Sequence, residues 1–102
     1  MKAEYFDLKG KRALVSGGAS GIGSSIVEHL CEQGVEVYFF DIDKKEAQKT
    51  IYRIKKKKFR IPTFIECNIK KIQKYKTSIL NIIKKKGQID ILVNNASNDQ
   101  RH

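Results

Sequence analysis

Ser16-Gly17-Gly18-Ala19-Ser20-Gly21-Ile22-Gly23 places four glycines within eight residues, directly after a short apolar run and directly before a helical apolar stripe. A glycine-rich turn in that setting lets the backbone approach a bulky anion, and the helix start beyond it offers unpaired N–H groups and a partial positive charge. The chemistry is pyrophosphate binding, with Gly17 making the turn and Gly21 and Gly23 allowing close approach and helix packing. Glycine turns also serve as plain connections, so the weight lies in the placement between strand and helix. Asp41, with Ile42 beside it, stands 18 residues beyond Gly23, where an acidic side chain can accept hydrogen bonds from the ribose hydroxyls of a dinucleotide. The same charge repels a 2′-phosphate, and Gly18, Ala19 and Ser20 supply no compensating cation, so the expected cofactor is NAD rather than NADP. Lys44 and Lys45 are near but fall in the first turn of the next helix.

The elements that must position these residues alternate along the chain. Arg12 to Ser16 reads as a strand, and Ile22, Ile26, Val27, Leu30 and Cys31 recur at helical spacing until Gly34, in the position a left-handed C-terminal residue prefers. Val35 to Phe40 is β-branched and aromatic, the pattern of a strand buried on both faces. Asp43 with Glu46 makes a capping-box-like start for a helix whose inward face is Ala47, Ile51 and Ile54 and which dissolves in the lysines at 55 to 58. Pro62 precedes a third strand, Thr63 to Cys67. Ile72, Tyr75, Ile79 and Ile82 or Ile83 form a third helical stripe that Gly87 breaks, and Ile89 to Val93 leads as a fourth strand into Asn94-Asn95-Ala96-Ser97.

Strands alternating with amphipathic helices pair in parallel through right-handed crossovers. The expected fold is α/β: a truncated Rossmann-type doubly wound sheet of four parallel strands in the order 3-2-1-4 with three helices. In such sheets the ligand lies at the carboxyl ends of the strands, beside the switch in strand order. The glycine turn, Asp41, Cys67-Asn68 and the Asn-Asn turn would converge there.

Composition excludes several other classes. No apolar run approaches the roughly 18 residues of a membrane span, and the start lacks the apolar core of a signal peptide, so the expected location is cytoplasmic. Cys31 and Cys67 stand apart with no C-x-x-C, and His29 and His102 have no ligand-spaced partners; buried thiols fit better than a disulfide or a metal site. The formal charge of +10 is uneven: residues 1–43 hold four basic and seven acidic side chains, residues 44–102 seventeen and four. The lysine runs could hold phosphate backbones, but they sit on helix faces opposite apolar residues, with little arginine and no interleaved aromatics, and a solvated helix surface accounts for them better than a nucleic-acid site.

The residues resemble the short-chain dehydrogenases/reductases. Ser16 to Gly23 is similar to that family's T-G-x-x-x-G-[IL]-G cofactor motif with serine for threonine, and Asn94-Asn95-Ala96-Ser97 to its N-N-A-G with serine for glycine. The likeness runs from about Leu8 to the end. It implies cofactor contacts at Ser16, Gly17, Ser20, Gly21, Ile22, Gly23, Asp41, Ile42, Asn68, Ile69, Asn95 and Ala96. In that reading the Asn68 side chain and the Ile69 N–H meet the adenine, where the family commonly has aspartate at position 68. Asn95 meets the ribose mainly through its backbone, and Asn94 braces the sheet. The tail Asn98-Asp99-Gln100-Arg101-His102 looks like a form found in some sugar- and polyol-oxidising members.

The family's catalytic serine, Tyr-x-x-x-Lys pair and asparagine come from segments beyond the fourth strand. None stands in these 102 residues, and the pairs Tyr5 with Lys9 and Tyr52 with Lys56 are decoys in the wrong elements. The expectation is one domain part, residues 1–102, truncated after strand four: an NAD(H)-binding portion of a dehydrogenase acting on a secondary alcohol or sugar hydroxyl, inactive alone. The alternatives are a non-catalytic nucleotide-binding or interaction module and a basic nucleic-acid-binding domain. Ile89, Ile91, Leu92 and Val93 would leave an apolar strand with an open edge, guarded only by Asp90, through which the chain could self-associate.

Overall fold

A computed structural model describes residues 8–95 of the chain. The order of elements is β1 (Arg12–Ser16), α1 (Gly21–Glu32), β2 (Glu36–Asp41), α2 (Lys44–Lys56), β3 (Thr63–Glu66), α3 (Ile72–Lys86) and β4 (Ile91–Asn94). The strands form one sheet in the order β3-β2-β1-β4, and all three pairings are parallel. This is the expected Rossmann-type α/β arrangement. Parallel neighbours require crossovers, and the three helices supply them.

The alternation of side chains along β1 divides the core in two. Ala13 and Val15 join Val37 and Phe39 of β2 on the face covered by α1 and α2, where Val27, Cys31, Ala47 and Ile54 are buried against them. Leu14 joins Tyr38 and Phe40 on the opposite face beneath α3, with Ile82 buried and Tyr75 and Ile79 packed beside it. The Tyr75 and Phe40 rings meet edge to face, with centroids 5.2 Å apart at 84°. Of the two candidates for the last inward position of α3, Ile82 is buried and Ile83 is exposed.

Local chemistry explains the ends. Gly34 (φ 83°) follows α1, and Gly87 (φ 108°) closes α3. Asp43 caps α2 by accepting the Glu46 N–H at 3.1 Å, but Glu46 turns to Lys49 instead of back to the cap, so the capping box is half formed. β4 begins two residues later than the sequence pattern predicts. Asp90 reaches across with its side chain to accept the Arg12 N–H at 2.9 Å, and the strand ladder starts one step on, at Ala13 and Ile91.

β2 lies inside the sheet with four consecutive buried residues, whereas β4 pairs with β1 alone among the described residues. Ile91 and Val93 pack on the α1–α2 side, while Leu92, on the α3 side, is 58% exposed. No helix among the described residues is long and apolar enough to cross a membrane.

One carboxylate ties α1 to α2. Glu28 accepts from Lys57 Nζ and, at 2.7 Å, from Arg53 Nε. Lys57 first and Arg53 second hold its pKa below the ordinary 4.5. A depressed folded-state pKa contributes stability that is present above the unfolded value and is lost as pH falls through the folded one. Glu28→Gln should therefore lower stability at pH 7 by up to about 1 kcal/mol, and urea denaturation should find that deficit shrinking as pH is taken from 6 down through the carboxylate range. A deficit independent of pH would show that the ion pairs are not its cause.

Candidate functional site

The ends of β1, β2 and β4 meet at the glycine turn. Gly17 adopts φ 71°, a conformation that strains any L side chain, and its N–H donates to Phe40 O at 2.7 Å. A Cβ added to Gly23 would stand 1.8 Å from Gly17 O and 2.8 Å from Asn95 Nδ2, so the first turn of α1 rests directly on the end of β1. The Asn95 amide donates to the same Gly17 oxygen at 3.1 Å, which joins the residue after β4 to the turn. Gly21 is a glycine for another reason: its φ is 60°, and nothing lies within 4 Å of where its Cβ would be.

Gly18 is also held to glycine by its neighbours, less severely than Gly23, and the motif reading missed it. A Cβ there would lie 2.7 Å from Phe39 Cβ and 2.9 Å from Val27 Cγ2, because β2 and α1 close on the turn from both sides. Buried Ala19 is held at both backbone groups. Its N–H donates to Asp41 Oδ2 at 3.1 Å, and its carbonyl accepts from the buried Thr50 hydroxyl of α2 at 2.7 Å. Thr50 was not anticipated either. Its signal in the sequence is a polar residue on the apolar face of α2, between Ala47 and Ile54.

Beyond Ala19 the chain opens to solvent. Ser20 is the extended N-cap of α1 and makes no side-chain cap bond. The first turn of α1 carries no acidic residue, and Ile22 is 73% exposed at its crest. The leading N–H groups of a helix have no acceptor within the helix, which makes this end a ready place for an anion.

At the end of β2 the Asp41 carboxylate is fixed by two backbone donors, Ala19 N–H through Oδ2 and Asp43 N–H through Oδ1 at 3.0 Å. Asp41 O accepts the Cys67 N–H at 3.0 Å, which carries the β2–β3 contact past the strand ends. A groove of about 590 Å³ opens here, lined by Ile42, Glu66, Cys67, Asn68, Lys71 and the exposed side of α3. Ile42 stands at its rim, 64% exposed. Asn68 Oδ1 accepts the Lys70 N–H at 3.0 Å, and Asn68 O accepts the Lys71 N–H at 2.9 Å, a turn that leads into α3. Ile69 packs into the α3-side core.

One of the expected site residues, Ser16, lies apart from this surface. Ser16 points to the α3 side of the sheet, buried, where its hydroxyl donates to Val93 O at 3.3 Å and lies beside the Tyr75 phenol. Burial raises the Tyr75 pKa, and the Ser16 hydroxyl partly offsets this. Ala96 lies outside the described residues, as do Ser97, the tail from Asn98 to His102, and Tyr5.

The arrangement can bind an anion at the turn and accept from a hydroxyl-bearing group at Asp41. Of the decoy pairs, Tyr52 stands exposed on α2 with Lys56 Nζ 5.3 Å from its ring centroid. Burial pushes the Cys31 thiol up to about 12, which leaves it unreactive. Among the described residues no group of three or more His, Cys, Asp or Glu could hold a metal ion.

The family profile described as short chain dehydrogenase matches residues 11–102. D-xylose 1-dehydrogenase of Caulobacter vibrioides is 35% identical over 98% of this chain and 38% of its own length. A probable galactose dehydrogenase of Rhizobium meliloti is 30% identical over 97% of this chain and 39% of its own. The crystal structure of a hydroxysteroid dehydrogenase from Escherichia coli superposes with a TM-score of 0.77 at 31% identity, over 88% of this chain and 38% of that one. The chain thus spans well under half the length of these relatives. It belongs to the short-chain dehydrogenase family and carries that family's nicotinamide-dinucleotide-binding fold.

Proposed function

We propose that this chain binds the adenosine and pyrophosphate part of NAD, and that the protein it represents moves a hydride between NAD and a secondary alcohol or sugar hydroxyl. The observation that carries the reading is the fixed Asp41 carboxylate beside the turn: both oxygens are oriented by backbone N–H groups, one of them within the glycine turn itself. A carboxylate so held can accept from vicinal ribose hydroxyls, whereas a 2′-phosphate brought to the same place meets a like charge.

In this reading the N–H groups at the start of α1, with the exposed Ser20, take the pyrophosphate. Ile42 and Asn68 border the adenine. The contacts proposed for Gly17, Gly21 and Gly23 are those of backbone, and Asn95 and Ala96 belong to the ribose side. Ser16 serves from behind, by holding β1 to β4. When bound, the nicotinamide ring supplies the acceptor or donor of hydride. The sugar class of substrate is supported by the names of the xylose and galactose dehydrogenases. Two free cysteines suit a reducing compartment such as the cytoplasm. Three of the lysines are engaged within the fold, Lys49 with Glu46, Lys57 with Glu28 and Lys56 over Tyr52, which favours a helix-surface role for these three over a nucleic-acid one.

Self-association through β4 is also proposed, on the ground that among the described residues this strand has one paired neighbour and a largely exposed Leu92. Light scattering in about 0.3 M salt, where the screening length is below 10 Å, should show a mass above that of one chain, reduced by Leu92→Lys. A monomeric mass for the unaltered chain would remove the proposal.

Isothermal titration with NAD and NADP tests the cofactor reading. The unaltered chain should bind NAD about tenfold more tightly or better, a difference near 1.4 kcal/mol. Asp41→Ala should weaken NAD and narrow the preference. NADP bound more tightly than NAD would overturn the assignment of Asp41.

A further inference from the structure

We infer that Thr50 is a positioning residue for the phosphate part of the ligand, acting through the Ala19–Ser20 peptide that its hydroxyl fixes. This rests on the dinucleotide reading above and adds a residue that touches no ligand.

A trans peptide is planar, and its C=O and N–H point in opposite directions. The Ala19 carbonyl is drawn toward α2 by the Thr50 hydroxyl at 2.7 Å, so the Ser20 N–H of the same plane is directed away from α2, at the mouth of α1. The preceding plane is fixed as well, by the Ala19 N–H on Asp41 Oδ2 at 3.1 Å. Two consecutive peptides of the turn are thus oriented by side chains from two other elements. Gly18, pressed between Phe39 and Val27, leaves the turn no room to slide.

Both partners in the Thr50 contact are buried. Loss of the hydroxyl leaves the Ala19 carbonyl without its donor and without ready access to water, and the peptide gains reason to rotate. Rotation would turn the Ser20 N–H off the anion. Because Asp41 holds the adjacent plane, the residue proposed to meet the ribose and the turn proposed to meet the phosphates share one hydrogen-bonded unit. Asp41 keeps the Asp43 N–H on Oδ1 whatever becomes of the turn, so the ribose end stays held, and Thr50 is the part of that unit that can be altered without touching the ligand.

The test uses the full 102-residue chain as it stands and as Thr50→Val and Thr50→Ser, each measured below its own thermal transition. Titration with ADP and with adenosine separates the phosphate contribution. Thr50→Val should weaken ADP about tenfold, adenosine less than about twofold, and Thr50→Ser should recover ADP binding to within about threefold. In the ligand-free chain, amide hydrogen exchange at Ala19, whose N–H is bonded to Asp41, should speed up in Thr50→Val and not in Thr50→Ser. Equal losses for ADP and adenosine, or ADP binding unchanged in Thr50→Val, would overturn the inference. Unchanged exchange at the Ala19 amide would overturn the fixed turn itself. Failure of the unaltered chain to bind ADP or NAD would instead sink the dinucleotide reading, with the exchange rates still deciding whether Thr50 holds the turn.

Discussion

The carbonyl oxygen of Gly17 sits where a side chain on Gly23 would begin, 1.8 Å from the position of its Cβ, and it accepts the side-chain amide of Asn95. That contact sets how closely α1 approaches β1. It also fixes where the chain leaving β4 must lie, because Asn95 bonds to an oxygen that already rests on the helix. The remaining geometry of the crevice follows from it. With α1 drawn this close, Gly18 is trapped against Phe39 and Val27, Ala19 reaches Asp41 and Thr50, and the first N–H groups of α1 face outward.

The two faces of the sheet are unequal, and the inequality has a local cause. Two helices cover Ala13, Val15, Val37 and Phe39, and their junction is reinforced by Glu28 between Arg53 and Lys57. Among the described residues one helix covers the other face. It lies over β1 and β2, where Tyr75 and Ile82 meet Phe40, Tyr38 and Leu14, and it leaves Leu92 of β4 exposed. Apolar burial of about 25 cal/mol per Å² is thus concentrated on β1 and β2, the two strands whose ends carry the glycine turn and Asp41. The best-supported part of the sheet is the part that positions the site.

Strand order, crossover helices and the meeting of strand ends were legible because their signals are local. The apolar runs, Gly34 and Gly87, and the Asp43 cap each act within a few residues of where they stand. What escaped notice depends on distant partners. Gly18 answers to Phe39 and Val27, and the Thr50 hydroxyl answers to a carbonyl 31 residues earlier. The start of β4 was misread because Asp90 substitutes a side-chain oxygen for a ladder bond. Ser16 is a different case. Alternation along β1 places it with Leu14 and opposite Val15, so its position on the α3 side was available from the strand period, but the glycine motif drew it toward the ligand.

The central claim is that four strand ends build one dinucleotide site, and a ¹⁵N–¹H correlation spectrum of the chain titrated with NAD addresses it residue by residue. The account predicts that shifts gather at Ser20 to Gly23, at Asp41 and Ile42, at Asn68 and Ile69 and at Asn95, and that the lysine-rich ends of α2 and α3 stay unmoved. Shifts confined to those lysines, with the glycine turn and Asp41 silent, would contradict it.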